Sequence, residues 1–173
     1  MVDRPIVYFL CTGNAARSVM AGVMMRTLTE AVDVRGAGTH VIEGQPMSLR
    51  TRTALERHGL RDPHHRSHQL TASDVERADL ICAMEPLNVA WVRRTHPSGA
   101  SRTATLKRLA RFLAPAAPGG PGLAERVASL GLAEVELEPW EEIVDPGSGS
   151  QADFDRTADE LAELVTILGR VLG

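Results

Sequence analysis

Ile6 to Leu10 (IVYFL) is an unbroken apolar run that stops at Cys11, and a short polar turn later the chain is set to wind into a helix. A continuous apolar run of this length suits a strand buried on both faces. From Arg17 to Ala31, Met20, Val23, Met24, Leu28 and Ala31 recur at helical spacing. Val32 to Thr39 predicts a second strand, ending in the glycine-rich RGAGT. Strand, helix and strand within about thirty residues form a βαβ unit, whose crossover is right-handed. Such a unit commits the chain to parallel strands with helices packed on the sheet.

The remaining pattern extends that alternation. SLRTRTALERHGL predicts a helix capped by Ser48 and stopped at Gly59. TASDVERADLICAM predicts a short helix capped by Thr71, then a buried strand from about Asp79 to Met84. Glu85 to Thr95 reads as helix, SRTATL as a short fourth strand, and LKRLARFL as an amphipathic helix. Alternating elements of this kind indicate an α/β fold on a parallel sheet. APAAPGGPG, Ala114 to Gly122, interrupts the pattern, and a short helix follows near Leu123 to Leu130. In the last element Ser150 and Asp153 form a capping-box pair. Phe154, Ala158, Leu161, Val165, Leu168 and Leu172 then line one apolar stripe suited to covering a sheet face.

Composition excludes several functions. A length of 173 residues suits one domain with a substantial core. A net charge of −3 offers no basic field for nucleic acid, and 3% aromatic residues offer little base stacking. The apolar run near the start is too short for a membrane span, and two cysteines, Cys11 and Cys82, make no disulfide framework. The cytoplasm is therefore the expected compartment.

The corner at Cys11 carries the chemistry. Ligands of open parallel sheets bind beyond the carboxyl ends of the strands. Thr12, Gly13, Asn14, Ala15 and Ala16, with the first helical turn, bring unpaired backbone N–H groups around one point. Gly13 permits close approach, and Asn14 tolerates the left-handed backbone of a tight anion cradle. Arg17 can grip two oxygens of a tetrahedral oxyanion. A free cysteine is only about 3% thiolate at pH 7. A helix N-terminus adds about 1 kcal/mol for an anion, so loop amides and a fixed cation must supply the rest. A cradle built for a phosphate dianion stabilises a thiolate by the same forces, and in-line attack of sulfur on phosphorus follows.

CTGNAARS resembles the C-x5-R-S signature of the low-molecular-weight protein tyrosine phosphatases. AGT, HGL, HQLTASDVERADLICAM and VDPGSGSQADFDRTADELAELV resemble further landmarks of that family in order. The resemblance implies a three-layer fold, with a four-stranded parallel sheet flanked by helices on both faces. It covers most of the chain except about residues 114–139, and implies a single domain over residues 1–173 with that stretch as a Pro/Gly-rich insertion. It implies a cysteinyl-phosphate intermediate on Cys11, with Arg17 binding phosphate and no metal or other cofactor. Asp145, fixed in extended geometry by Pro146, becomes the acid that protonates the leaving group and then the base that activates water. Ser18 matches the serine that donates to the sulfur. Asn14 matches the residue that pins the loop, with His65 as one brace and Gly36 where the family's second brace, a serine, would stand.

Three departures qualify the expected substrate, a phosphorylated protein or small aryl phosphate. Ala16 stands where many relatives have a second loop cysteine, so Cys11 is expected to have no partner within the loop. Gly147 and Ser148 replace the aromatic residues that often follow Asp-Pro, and Ile42 and Glu43 occupy the variable loop. Trp140 and the insertion could supply the missing wall. His64, His65 and His68 have spacings open to metal binding, but no cysteine or acidic pair completes a set, and a solvated loop is expected. The competing functions are a thiol-dependent arsenate reductase on the same fold and a non-catalytic oxyanion or phosphoprotein binder. No nucleic acid or membrane partner is expected.

Overall fold

A computed structural model describes residues 4–173. Four parallel strands, β1 (Ile6–Cys11), β2 (Asp33–Gly38), β3 (Leu80–Ala83) and β4 (Thr103–Thr105), form one sheet in the order β2-β1-β3-β4. The helices are α1 (Arg17–Leu28), α2 (Leu49–Arg57), α3 (Ala72–Arg77), α4 (Pro86–Thr95), α5 (Leu106–Phe112), α6 (Leu123–Ala128) and α7 (Gln151–Leu172).

β1 is central and buried on both sides, which is why its sequence does not alternate. Val7, Phe9 and Cys11 share a core with residues of α1, α2, α5, α6 and α7. Tyr8 and Leu10 share a second core with Ala37, Val75, Ile81 and Val92, beneath α3 and α4. These are the expected three layers. The predicted stripe of α7 is buried along its length, from Phe154 to Leu172. Its start is fixed by Asp153, whose carboxylate accepts from the Ser150 N–H (2.6 Å) and hydroxyl (2.8 Å). No helix among the described residues is long and apolar enough to cross a membrane.

Two boundaries differ from expectation. α1 stops at Leu28, because Thr29 turns extended (φ −152°, ψ 144°) and its hydroxyl accepts the Ala31 N–H at 3.0 Å. Ala31 thus continues the apolar spacing from within a turn. β4 is only three residues long, following a 3₁₀ segment at Pro97–Arg102.

Ala114 to Gly122 runs exposed over the surface, and the 114–139 segment is anchored in the core beyond it. Leu123, Val127 and Leu132 enter the core, and Arg126 Nη1 donates to the carbonyls of Ala114 (2.7 Å) and Val171 (2.8 Å). Beyond it, the fully buried Glu141 carboxylate accepts from Thr105 Oγ1 (2.6 Å), Arg108 Nε (3.0 Å) and Arg108 Nη2 (2.6 Å). Burial opposes its charge, but these donors hold the Glu141 carboxyl below its usual range. The chain leading to Asp145 is thereby tied to β4 and α5. Lys107 Nζ adds a bond to the Glu142 carbonyl at 2.6 Å.

Candidate active site

The β1–α1 turn wraps around the sulfur of Cys11. Asn14 adopts φ 49°, and its N–H donates to Cys11 Sγ at 3.2 Å. Ser18 Oγ lies 3.0 Å from the same sulfur. Asn14 Nδ2 donates to Ser18 Oγ at 2.8 Å, which leaves the serine proton available to a thiolate at Cys11. The local geometry follows from composition: Asn tolerates the left-handed backbone, and Ala15 and Ala16 leave the cradle open.

Asn14 is buried and held by groups far away in sequence. Its carbonyl accepts from His65 Nε2 (2.9 Å) and Ser67 Oγ (3.1 Å), and its Oδ1 accepts from the His68 N–H (3.0 Å). Burial pushes the His65 imidazole below its ordinary range, favouring the neutral ring. Because a carbonyl only accepts, the proton of that ring sits on Nε2. Gly36 approaches closely from β2: a Cβ built there would lie 3.2 Å from Asn14 Nδ2. Ser67 therefore supplies the hydroxyl brace that the sequence suggested was missing. Only its position between His65 and His68 could have signalled it.

Arg17 is 2% exposed. Its Nη1 donates to the Ile143 carbonyl (2.9 Å) and its Nη2 to Glu85 Oε1 (3.1 Å), with Asp145 Oδ2 at 3.2 Å from Nη2. Glu85 also accepts from Thr12 Oγ1 at 3.2 Å, linking guanidinium and loop. Glu85 was not singled out in the sequence, where it reads as the entry to α4. Its place beyond the carboxyl end of the buried strand β3 was the available signal. Asp145 is 55% exposed, and its Oδ1 accepts the Gly147 N–H at 2.9 Å, closing the Asp-Pro-Gly turn over the cradle.

These groups meet at a cavity of about 200 Å³, lined by Cys11, Gly13, Ala15, Ala16, Arg17, Ser48, Thr51, Asp145, Gly147 and Phe154. Thr51 donates to the Ala15 carbonyl at 3.0 Å, tying α2 to the loop. Cys11, Arg17 and Asp145 are thus brought together, with Thr12, Gly13, Asn14, Ala15, Ala16 and Ser18 around them and His65 behind. Trp140 is elsewhere: it packs edge-on against Phe112, with Arg108 and Arg111 over both rings. Its hydrogen bond is to Glu138, and the 114–139 segment lines no part of this cavity. The expectation that either supplies an aromatic wall fails, because Arg108 is drawn to Glu141 on the α5 side. Cys82 lies fully buried in β3, where desolvation pushes its thiol far above the ordinary range. Both cysteines are free. Among the described residues, no group of three or more His, Cys, Asp and Glu is placed to hold a metal ion.

A thiol, a buried guanidinium and a carboxylic acid around one phosphate-sized hollow, on a parallel α/β sheet, define a cysteine-dependent phosphatase. Residues 6–117 match the family described as low molecular weight phosphotyrosine protein phosphatase, and the chain belongs to that family. It is 32% identical over 106 residues to a probable low molecular weight protein-tyrosine-phosphatase, EpsP, of Ralstonia solanacearum, spanning 61% of this chain and 73% of that one. It is 30% identical over 103 residues to a protein-arginine-phosphatase of Geobacillus stearothermophilus, spanning 59% and 69%. The solved YwlE arginine phosphatase of Geobacillus stearothermophilus superposes with a TM-score of 0.75 at 25% identity, covering 95% of this chain and 90% of that one. The tyrosine phosphatase Wzb of Escherichia coli K30, solved with sulphate, shares the fold with a TM-score of 0.76 at 20% identity, covering 98% and 99%.

Proposed function

We propose that this chain hydrolyses phosphotyrosine or a similar aryl phosphate monoester through a cysteinyl-phosphate on Cys11. The observation that carries the proposal is the pair of hydrogen bonds on Cys11 Sγ, from Asn14 N–H and Ser18, at the floor of a cavity walled by Arg17 and Asp145. The thiolate attacks phosphorus, and the bond from phosphorus to the leaving oxygen breaks as Asp145 gives that oxygen its proton. Water then attacks the phosphorus, its proton passes to Asp145, and the sulfur leaves as thiolate, stabilised by the Ser18 hydroxyl. Arg17 and the loop amides bear the phosphoryl charge in both steps. The substrate is a phosphoprotein or small aryl phosphate, and the expected compartment is the cytoplasm. The whole chain acts as one domain, with 114–139 an insertion remote from the cavity. Single-turnover reaction with an aryl phosphate should leave phosphate on Cys11, and Cys11→Ser should abolish turnover. Undiminished hydrolysis by that variant would refute the mechanism.

A second substrate has a specific observation in its favour. Apart from Phe154 the cavity is lined by small or polar side chains, and Gly147 and Ser148, not aromatic residues, come directly after Asp145-Pro146. An aryl ring gains much of its binding from such walls. A phosphorylated guanidino group does not require them, and the similar sequence and the similar solved structure from Geobacillus stearothermophilus both carry the name arginine phosphatase. Comparing kcat/KM on phosphotyrosyl and phosphoarginyl peptides of one sequence separates the two. An arsenate reductase would find no resolving thiol in Cys82, which is sealed within the sheet.

A further inference from the structure

His68 lies outside the cavity yet joins four parts of the fold. Its backbone N–H donates to Asn14 Oδ1 (3.0 Å), and its carbonyl accepts from Gly38 N–H (2.9 Å). Its ring lies between two carboxylates, with Nδ1 at 3.1 Å from Glu43 Oε1 and Nε2 at 2.8 Å from Asp74 Oδ2. Ionised carboxylates only accept, so both ring nitrogens must donate, and only an imidazolium does that. We propose that His68, as the imidazolium, is a positioning residue of the phosphate cradle, clamping the loop after β2 and helix α3 onto the segment that braces Asn14. The name of the cradle rests on the phosphatase reading; the clamp itself does not.

The charged and titratable neighbours fix what happens when the ring loses its proton. Glu43 faces it from the loop after β2, and Asp74 faces it from α3. Behind Asp74 stand the Tyr8 hydroxyl of β1 (2.8 Å) and Arg77 of α3 (3.5 Å), with Arg35 of β2 beside Tyr8. Burial works against charge on His68, but the two carboxylates outweigh it and its pKa is raised. Asp74, with a side chain 6% exposed, also accepts from the Thr71 N–H and hydroxyl and is held well below the usual carboxylate range. Glu43 is 63% exposed and has one other tie, to the Gln69 N–H at 2.8 Å. A neutral ring therefore keeps its Nε2–H on Asp74 and turns a lone pair on Glu43, which is the partner that leaves. The loosened loop is the one whose Thr39 and His40 N–H groups donate to the carbonyls of Cys11 (3.0 Å) and Thr12 (2.9 Å).

The test reads binding of inorganic sulfate, which stays a dianion throughout, between about pH 5.5 and 9, where histidine titrates. Wild-type affinity should fall about two- to fivefold, the worth of one part-exposed ion pair. The midpoint should match that of the His68 ring by NMR, with the Gln69 amide moving in step. His68→Lys, which keeps both the cation and the backbone N–H, should bind like the acid form without this step. His68→Gln should bind like the basic form throughout. Any step from Cys11 itself is common to all three proteins. Superimposable curves for the three, a Gln69 amide that ignores the ring, or no sulfate binding in acid would overturn the proposal. A protein that shows the step but hydrolyses no phosphorylated substrate keeps the clamp and loses the phosphatase reading. Hydrolysis with superimposable curves does the reverse.

Discussion

Gly38 ends β2 directly beside Cys11, and its replacement by alanine tests how rigid the cradle is. A Cβ at this position would meet Val41 Cγ2 at 2.4 Å, the Thr12 carbonyl oxygen at 2.5 Å and the Asn14 nitrogen at 2.9 Å. Val41 can rotate away, but the other two atoms are loop backbone. The strand side cannot yield either, since Gly38 N–H is bonded to His68 O and Gly38 O to Leu70 N–H, both at 2.9 Å. Restoring ordinary contact distances therefore shifts the phosphate loop by about 0.5–1 Å. Overpacking of this kind costs about 1–3 kcal/mol. For a chain of this size that lowers Tm by about 3–10 °C. A misplacement approaching 1 Å lowers kcat/KM by about 100-fold. Gly22→Ala, inside α1, supplies the opposite sign. Its Cβ would find ordinary contacts at 3.6 and 3.8 Å, and removing a mid-helix glycine stabilises by about 0.5–1 kcal/mol. Thermal melts and aryl phosphate kinetics on both variants measure the difference. A Gly38→Ala protein that melts and turns over like the parent would show that the loop yields freely, and the rigid-cradle reasoning would fail.

Three further outcomes are expected. Asp145→Ala should slow hydrolysis most for esters with poor leaving groups and least for good ones; an equal loss across a leaving-group series would remove the acid role. Ser67→Ala deletes a buried hydroxyl whose one proton is shared between the Asn14 and Gln45 carbonyls, both at 3.1 Å, and should cost about 1–2 kcal/mol in chemical denaturation. Asp74 titrates below its unfolded value, so its contribution is complete above about pH 4 and is lost as pH falls through its folded pKa. Asp74→Asn should therefore flatten the acid side of a Tm-against-pH curve, and an unchanged acid slope would count against the network.

The elements that announced themselves did so through local chemistry. α7 was legible because its cap and its stripe lie within one stretch of chain. The strand–cysteine–helix corner was legible because every residue of the cradle is consecutive. The end of α1 was not, since Ala31 satisfies the helical spacing while a hydroxyl at Thr29 redirects the backbone. Glu85, Ser67 and the Ile143 carbonyl complete the site from three separate connections. A backbone carbonyl leaves no mark in a sequence, and a glutamate before a proline looks like any helix start. Gly36 suggested an absent brace because the serine that replaces it comes from the facing strap. Trp140 drew attention as the aromatic residue nearest to Asp145 in sequence, but Arg108 and Glu141 anchor its neighbourhood to α5.

Arg17 is engaged by two carboxylates of its own chain, Glu85 from below and Asp145 from the open side. The Glu85 contact is sheltered, whereas Asp145 is exposed and easily displaced. A dianion seated on Arg17 must displace that carboxylate, and in the proposed mechanism Asp145 returns to the guanidinium only after shedding the proton it takes from water. Loss of that proton turns Asp145 into an internal competitor for Arg17, 3.2 Å from Nη2, which favours clearance of inorganic phosphate over tight retention.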